Sequence, residues 1–499
     1  MDAQIILRIK PELTSYLHEF DDCFGRSQTR GHLRAYVQGQ LSDLPRKSIE
    51  PMADAADIPP RTLQEFLSLS RWDEQRLRDR LQQRVAAHYA HEHSVGIIDE
   101  SSFVKKGDKT ACVQRQYCGA VGKRENCVVS VHLGYATPDP RGFHALLDGE
   151  PFVPEETWGQ DRDRCHAAGI PDDVGHRTKH QMALEQYRRA VGNGVRFRWL
   201  TFDEFYGRST VFLRELDALG QDYVAEVPVN FHVWTQPPEV LHRRHARDLT
   251  RPGRRRKYPR LKVKHNPTIP VENVARYSPL MREQPWVKYQ VKDGSKGPMV
   301  WEVKHLRVYL KDEQGLPTGG GRAYHWLVAR NALDPDEIKY FISNAAESTP
   351  VSTLLLVAFS RWKIERMFED SKMELGLDHF EVRAYQAIQR HLILSCLSHL
   401  FLAEFQQRHA GDADGGEKRW GVDDQSDRHH DPQAGAAVAE RPPLFPRLGP
   451  AAQPAVGSHA AAQQQGRPQP PQADHPQAAQ DRRVSQQGTQ VSMVEVIAL

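Results

Sequence analysis

A chain of 499 residues, with 39% apolar and 26% charged side chains, has the composition of a water-soluble protein and the length for more than one domain. No apolar run reaches the roughly 18–20 residues of a membrane span; the longest, Leu392 to Phe405, carries Ser395, Ser398 and His399 and reads as a buried helix. The net charge of +3 favours no class of partner, and the six cysteines, at 23, 112, 118, 127, 165 and 396, form no CxxC pair, which sets aside a disulfide framework and a zinc ribbon in favour of buried free thiols.

Asp2, Arg8, Lys10 and Glu12 interrupt the start where a signal peptide needs an unbroken apolar core, so a cytoplasmic protein is expected. Amphipathic spacing in Arg34–Leu41 and from Trp72 to Tyr89 predicts a helical domain over residues 1–88. Within it, residues 49–58 followed by Pro59-Pro60 and a second periodic run to Leu67 read as a helix-turn-helix, a form shared by DNA readers and plain bundles.

From Ser94 the pattern changes to strands: Val95–Ile98 ending in Asp99-Glu100, Ala111–Tyr117, and Cys127–Tyr135, expected as a three-strand meander. After a loop-rich stretch come a helix at His180–Val191, a strand at Val195–Phe202 ending at Asp203, a helix at Thr210–Leu219 and a strand at Tyr223–Val227. That order is the order of a ribonuclease-H-like α/β core, a mixed sheet flanked by helices. It is assigned here to residues 89–228, with a second part at 331–408. Residues 229–330 form a β-rich insertion with strands at Trp301–Leu310 and Tyr324–Ala329. Between Arg243 and Lys264 the insertion carries eleven Lys and Arg residues against the single acid Asp248, a local excess suited to a polyphosphate. Helices are predicted at Asp336–Ala346, from Pro350 to about Leu375 and from Ala384 to Gln407. Residues 409–499, rich in Ala, Gln, Pro and Gly, lack apolar periodicity and are expected to be disordered or the product of a shifted reading frame.

Asp99 and Asp203 end apolar strands that lie side by side in such a sheet, so the two carboxylates can share a divalent cation. Acids also end strands because turns favour them. In Ser360–Lys372, residues Arg361, Glu365, Phe368 and Lys372 recur at helical intervals along one stripe. Taken alone, Arg361 and Glu365 could be only an i,i+4 ion pair.

Asp99, Asp203 and the Arg361-x3-Glu365-x6-Lys372 pattern together resemble the DDE transposases of bacterial insertion sequences, in the branch with a Tyr-Arg-Glu-Lys signature. Four further stretches resemble the family in order: Ile98–Gly107, Arg115–Gly119 with Gly122–Cys127, Tyr223–Pro228 and Gly376–Arg383. The signature's tyrosine falls at Ala358, beside Phe359. The resemblance implies that Asp99, Asp203 and Glu365 hold two Mg²⁺ (or Mn²⁺) ions for cleavage of transposon ends and strand transfer into target DNA. It also implies terminal inverted repeats and target DNA as partners, a homodimer on that DNA, a nucleoid location and no membrane. Arg361, Lys372, Lys105 and Lys106 are expected on the DNA backbone, as are Arg254, Arg255, Arg256 and Lys257 of the basic run. Two other readings of the same residues are a ribonuclease-H-like nuclease without strand transfer and a catalytically impaired, transposon-derived DNA-binding protein.

Overall fold

The computed structural model describes residues 3–138, 142–243, 257–263, 265–294 and 297–409. Helices come first: α1 (Ala3–His18), α2 (Ser27–Gln40), α3 (Ile49–Ala55), α4 (Pro60–Ser68) and α5 (Glu74–His88). Pro60 opens α4, where its missing N–H is not needed, and Asp57 makes the turn before it with a φ of 50°, a conformation Asp tolerates better than most residues. Asp73 caps α5 by accepting the Arg76 N–H at 2.9 Å.

The sheet begins with β1 (Val95–Val104), β2 (Gln114–Cys118), β3 (Lys123–Ala136) and β4 (His144–Pro151). After α6 (Arg162–Ala167) and α7 (Lys179–Gly192) come β5 (Trp199–Phe202), α8 (Glu204–Gly207), α9 (Thr210–Ala218) and β6 (Tyr223–Val227). β1 pairs antiparallel with β3, and β3 with β4, whereas β5 runs parallel to β1 and β6 parallel to β5. The order β4-β3-β1-β5-β6 is a mixed sheet flanked by helices, which fits the expected ribonuclease-H-like core.

Next come β7 (His232–Trp234), β8 (Val240–Leu241), β9 (Arg260–Leu261), β10 (Ile269–Pro270), α10 (Val271–Tyr277) and α11 (Pro279–Arg282). They are followed by β11 (Val287–Gly294), β12 (Gly297–Leu310), β13 (Tyr324–Asn331) and β14 (Ile338–Ser343). β14 joins β6 antiparallel, and β13, β12, then β11 and β7 add outward, so this segment widens the sheet edgewise. The chain then forms α12 (Val351–Phe359), α13 (Trp362–Met373) and α14 (Tyr385–His409). Arg254, Arg255 and Arg256 lie outside the described residues, as do residues 410–499.

Several sequence expectations need correction. The meander is β1-β3-β4, and the segment expected as its second strand is β2, which pairs only with the first residues of β3. β4 lay in the supposed loop because Asp148, Gly149 and Pro151 weaken its strand pattern, yet its residues are buried and its proline sits at the strand end, where a ladder tolerates it. The helix expected at Asp336–Ala346 is β14: Asp336-Glu337 resembles a helix start, but Tyr340-Phe-Ile-Ser343 are buried between two strands. The single helix expected from Pro350 breaks at Ser360-Arg361. There the Ser360 hydroxyl donates to the Leu356 carbonyl at 2.7 Å, a back-bond that bends helices.

α14 is apolar almost all round, and the N-terminal helices pack about it within one hydrophobic core. Several of its polar positions are met from the N-terminal helices, whereas the buried His399 Nδ1 has no hydrogen-bond partner among the described residues. The Tyr16 hydroxyl donates to the Leu397 carbonyl at 2.8 Å, and Tyr36 bonds His391 at 2.7 Å. Gln40 donates to Ser395 and accepts from Ser398, both at 2.8 Å, and Arg84 forks onto Glu404 at 2.7 and 2.8 Å. α5 is tied to the sheet through Arg78, which donates to the fully buried Asp148 at 2.8 Å; Arg189 of α7 meets both Asp148 and Glu150. Removing one partner of such a network strands buried charge. Asp148→Ala is therefore expected to cost about 3–5 kcal/mol in urea unfolding, and a midpoint within error of wild type would refute that role for the network.

Candidate active site

Ile98 stands opposite Phe202 where β1 and β5 run parallel, so the chain places Asp99 and Asp203 one residue further along each strand. β5 ends there, while β1 continues to Val104; Asp99 is thus mid-strand, at the end of the parallel pairing rather than the end of its strand. Its Oδ1 accepts the Glu100 N–H at 2.7 Å and its Oδ2 accepts from Arg361 at 2.9 Å. Asp203 caps α8, accepting the Phe205 and Tyr206 N–H groups at 3.0 and 3.4 Å. That short helix lies tight on β6: a Cβ on Gly207 would come 1.9 Å from the Glu226 carbonyl oxygen.

Burial, then the neighbouring Asp203 charge, pushes the Asp99 carboxyl up to about 7 against the pull of Arg361. Burial raises Asp203 as well, against its two N–H bonds and Arg361. Two carboxylates that resist ionisation side by side, offering only oxygen donors, suit a hard divalent cation rather than zinc or copper.

α13 brings the third acid. Its buried Ile364 and Met367 lie over Gly134, where any side chain would meet the Met367 sulfur at 2.9 Å, and Phe368 stands edge-on to His132 with ring centres 5.1 Å apart. His132 is the cross-strand partner of Asp99, so the helix is seated directly beside the two aspartates. Glu365, in the first turn of α13, is 60% exposed and held by Arg361 at 2.6 Å. Arg361 leaves the helix break to bridge Asp99 and Glu365, and its Nε lies 3.9 Å from Glu226. Among the described residues no three His, Cys, Asp or Glu side chains converge as a metal cluster; Arg361 stands between Asp99 and Glu365, paired with each.

Sequence reasoning assigned no role to Glu226, although it lies in the Tyr223–Pro228 stretch at the far end of the third parallel strand. It pairs with Lys339 at 2.7 Å and adds to the charge that raises Asp203. Glu100, next to Asp99, pairs with Lys179 at the start of α7. Of the basic candidates, Lys106 is exposed and so is Lys257, far along the chain in the insertion. Lys105 is turned inward, its ammonium bonded to the Phe380 carbonyl and 3.4 Å from that ring's centre, and burial lowers it to about 8. Lys372 is half-buried, 6.0 Å from the ring centres of Phe103 and Phe368, and burial lowers it too. All six cysteines are free and buried, and no helix among the described residues is long and apolar enough to cross a membrane.

A mixed sheet with two aspartates where the parallel pairing of adjacent strands ends, and a helix-borne glutamate beside them, is the arrangement of a carboxylate-dependent nuclease of the DDE type. Residues 19–298 match the family described as DDE superfamily endonuclease, and the chain belongs to it. Over 354 residues it is 26% identical to a probable transposase for insertion sequence element IS701 from Microchaete diplosiphon, an alignment covering 70% of this chain and 76% of that protein. The resemblance to insertion-sequence transposases read from the motifs is met by both matches. Family membership implies DNA as substrate and dependence on a divalent metal.

A carboxyl that titrates higher in the fold than in the unfolded chain adds stability at low pH and loses it as pH rises from about 4 through about 7. In EDTA, Asp99→Asn should gain stability relative to wild type between pH 5 and 8; urea midpoints of the two proteins that run parallel with pH would contradict the raised value. Gly207→Ala should lower stability by about 1–3 kcal/mol and weaken cleavage, because it lifts the helix that Asp203 caps. A wild-type melting temperature would show that the site has more room than the 1.9 Å contact allows.

Proposed function

We propose that the chain is a DDE transposase whose Asp99, Asp203 and Glu365 hold two Mg²⁺ or Mn²⁺ ions, cleaving transposon ends and joining them to target DNA. The observation that carries this is the adjacency of Asp99 and Asp203 across β1 and β5, with Arg361 linking Asp99 to Glu365. Divalent ions held by these acids supply activation of a water and stabilisation of the leaving 3′ oxygen in an in-line displacement.

The protein's own part is placement. Backbone N–H groups of Glu100, Phe205 and Tyr206 orient the two aspartates, and the seat of α13 on Gly134 and His132 keeps Glu365 within reach. Arg361 neutralises the acids before substrate arrives; with their charge otherwise met, its guanidinium is free for a phosphate, where its fork geometry suits two oxygens. The freed 3′-OH then replaces water as nucleophile, so the same carboxylates serve both steps. Bringing two ends together calls for two copies of the chain on DNA. The N-terminal helices up to 88 are assigned to end recognition, and Lys106, Lys257 and the basic run to backbone contacts.

The test is cleavage of a labelled duplex carrying the element's own ends, in Mg²⁺ and in EDTA. Wild type should nick only with metal, and Glu365→Gln should fall by at least about a thousandfold, of the order of 4 kcal/mol in the barrier. Equal nicking by the two proteins would remove Glu365 from the site. Nicking with no joined product when target DNA is added would favour the nuclease without strand transfer.

A further inference from the structure

Beyond Val104 the sheet does not stop: β2 and the first half of β3 project as a hairpin past the end of β1, with β2 at the sheet's edge. Antiparallel register sorts its side chains by face. Gln116 and Glu125 stand opposite one another on one face with the buried Cys118 and Cys127. On the other, Tyr117 stands opposite Arg124, and Arg115 lies two residues before Tyr117. All three are exposed, Tyr117 by 66%, and the Arg124 guanidinium reaches over to the Arg115 carbonyl at 3.4 Å. Among the described residues neither arginine has an acidic partner. From Lys105 to Cys127 six basic residues face only Asp108 and Glu125, and Lys123 meets Glu125 only at 3.9 Å.

The hairpin also has a defined distance from the chemistry. Asp99 lies five residues before Val104, whose partner Cys127 is three residues after Arg124. At about 3.3 Å per residue the outer face is therefore roughly 25 Å from Asp99. Lys106 and Lys372 lie between the two, the latter beside Phe103 of β1. Exposed arginines flanking an exposed tyrosine, in line with a nuclease site, suit a sugar–phosphate backbone and a ring that packs on it.

We propose that the β2–β3 hairpin is a DNA-positioning arm: Arg115 and Arg124 contact the duplex backbone and Tyr117 packs on the sugar–phosphate about seven to eight base pairs from the scissile phosphate, at 3.4 Å per pair. The proposal rests on the catalytic reading of Asp99 and Asp203 above. These are positioning residues, since none touches the reacting atoms.

The test uses the full chain, in Ca²⁺ to hold DNA uncut, with two families of duplexes centred on the cleavage site: about twenty base pairs to each side, or trimmed to about five on one side or the other. Wild type should bind the full duplex tighter than the one trimmed on the arm's side. The triple variant R115A/Y117A/R124A should lose about 10–100-fold on the full duplex and nothing on that trimmed one, with a salt slope shallower by about 2, near 0.9 per lost phosphate contact. R115K/R124K should restore the slope, and unchanged melting temperatures would exclude misfolding. A triple variant that binds the full duplex like wild type overturns the arm and leaves the arginines as guards of a sheet edge. Wild type that binds neither duplex overturns the catalytic reading itself, and a loss equal on full and trimmed duplexes places the effect elsewhere than at the arm.

Discussion

Two carboxylates fixed beside each other, out of bulk water, repel; a fold that holds Asp99 and Asp203 in that position must supply something to offset the repulsion. The chain uses backbone N–H groups for each aspartate and one guanidinium for the pair's excess charge. Much of the surrounding architecture follows from keeping that arrangement rigid. The parallel pairing of β1 with β5 sets the spacing, the tight seat of α8 on β6 fixes the cap at Asp203, and the helix break at Ser360 frees Arg361 to turn toward the sheet. Altering any one of these shifts a charge by an ångström where the dielectric is low, and energies there vary steeply with distance.

The scaffold under the site is correspondingly stiff. α14 passes through the interior with several polar groups bonded to three N-terminal helices: to Tyr16 of α1, to Tyr36 and Gln40 of α2, and to Arg84 of α5. α5 then reaches the sheet at Asp148, so the last N-terminal helix and the last helix of the described chain brace the same strand, β4, through buried ion pairs and apolar packing. Buried ion pairs add little net stability over apolar replacements, but they tolerate few alternative geometries, which suits a support that must not creep.

The two aspartates and the glutamate helix were legible in the sequence because each sits in a strong local pattern: an apolar strand run before Asp99 and Asp203, a 3.6-residue stripe through Arg361, Glu365 and Lys372; that β1 runs on past Asp99 was not. What was not legible depended on partners distant in the chain. β4 looked like a loop because nothing local reveals that β3 and α14 cover it. β14 looked like a helix because Asp336-Glu337 outweighed the aromatic and β-branched residues that two neighbouring strands bury. The inward turn of Lys105 onto Phe380 could not be read from an exposed-looking Lys105-Lys106 pair. Glu226 passed as an ordinary strand residue until β6 was seen to run parallel beside β5, which brings its carboxylate to the same end as Asp203.

The charge distribution explains why one molecule can attract both a polyanion and a cation. At the centre, among the described residues, Asp99, Asp203, Glu226 and Glu365 are met by Arg361 and Lys339, so the four acids outnumber their cations. Outside it, Lys106, Arg115, Lys123 and Arg124 lie along the line of β1 and its hairpin. A phosphodiester drawn along that outer line meets repulsion at the acids unless their deficit is filled. On the proposed reading, a divalent cation at these acids would remove that repulsion and so favour DNA binding, and by linkage bound DNA would favour the cation. The same deficit explains the position of Arg361: with neither present, it is the cation nearest to hand.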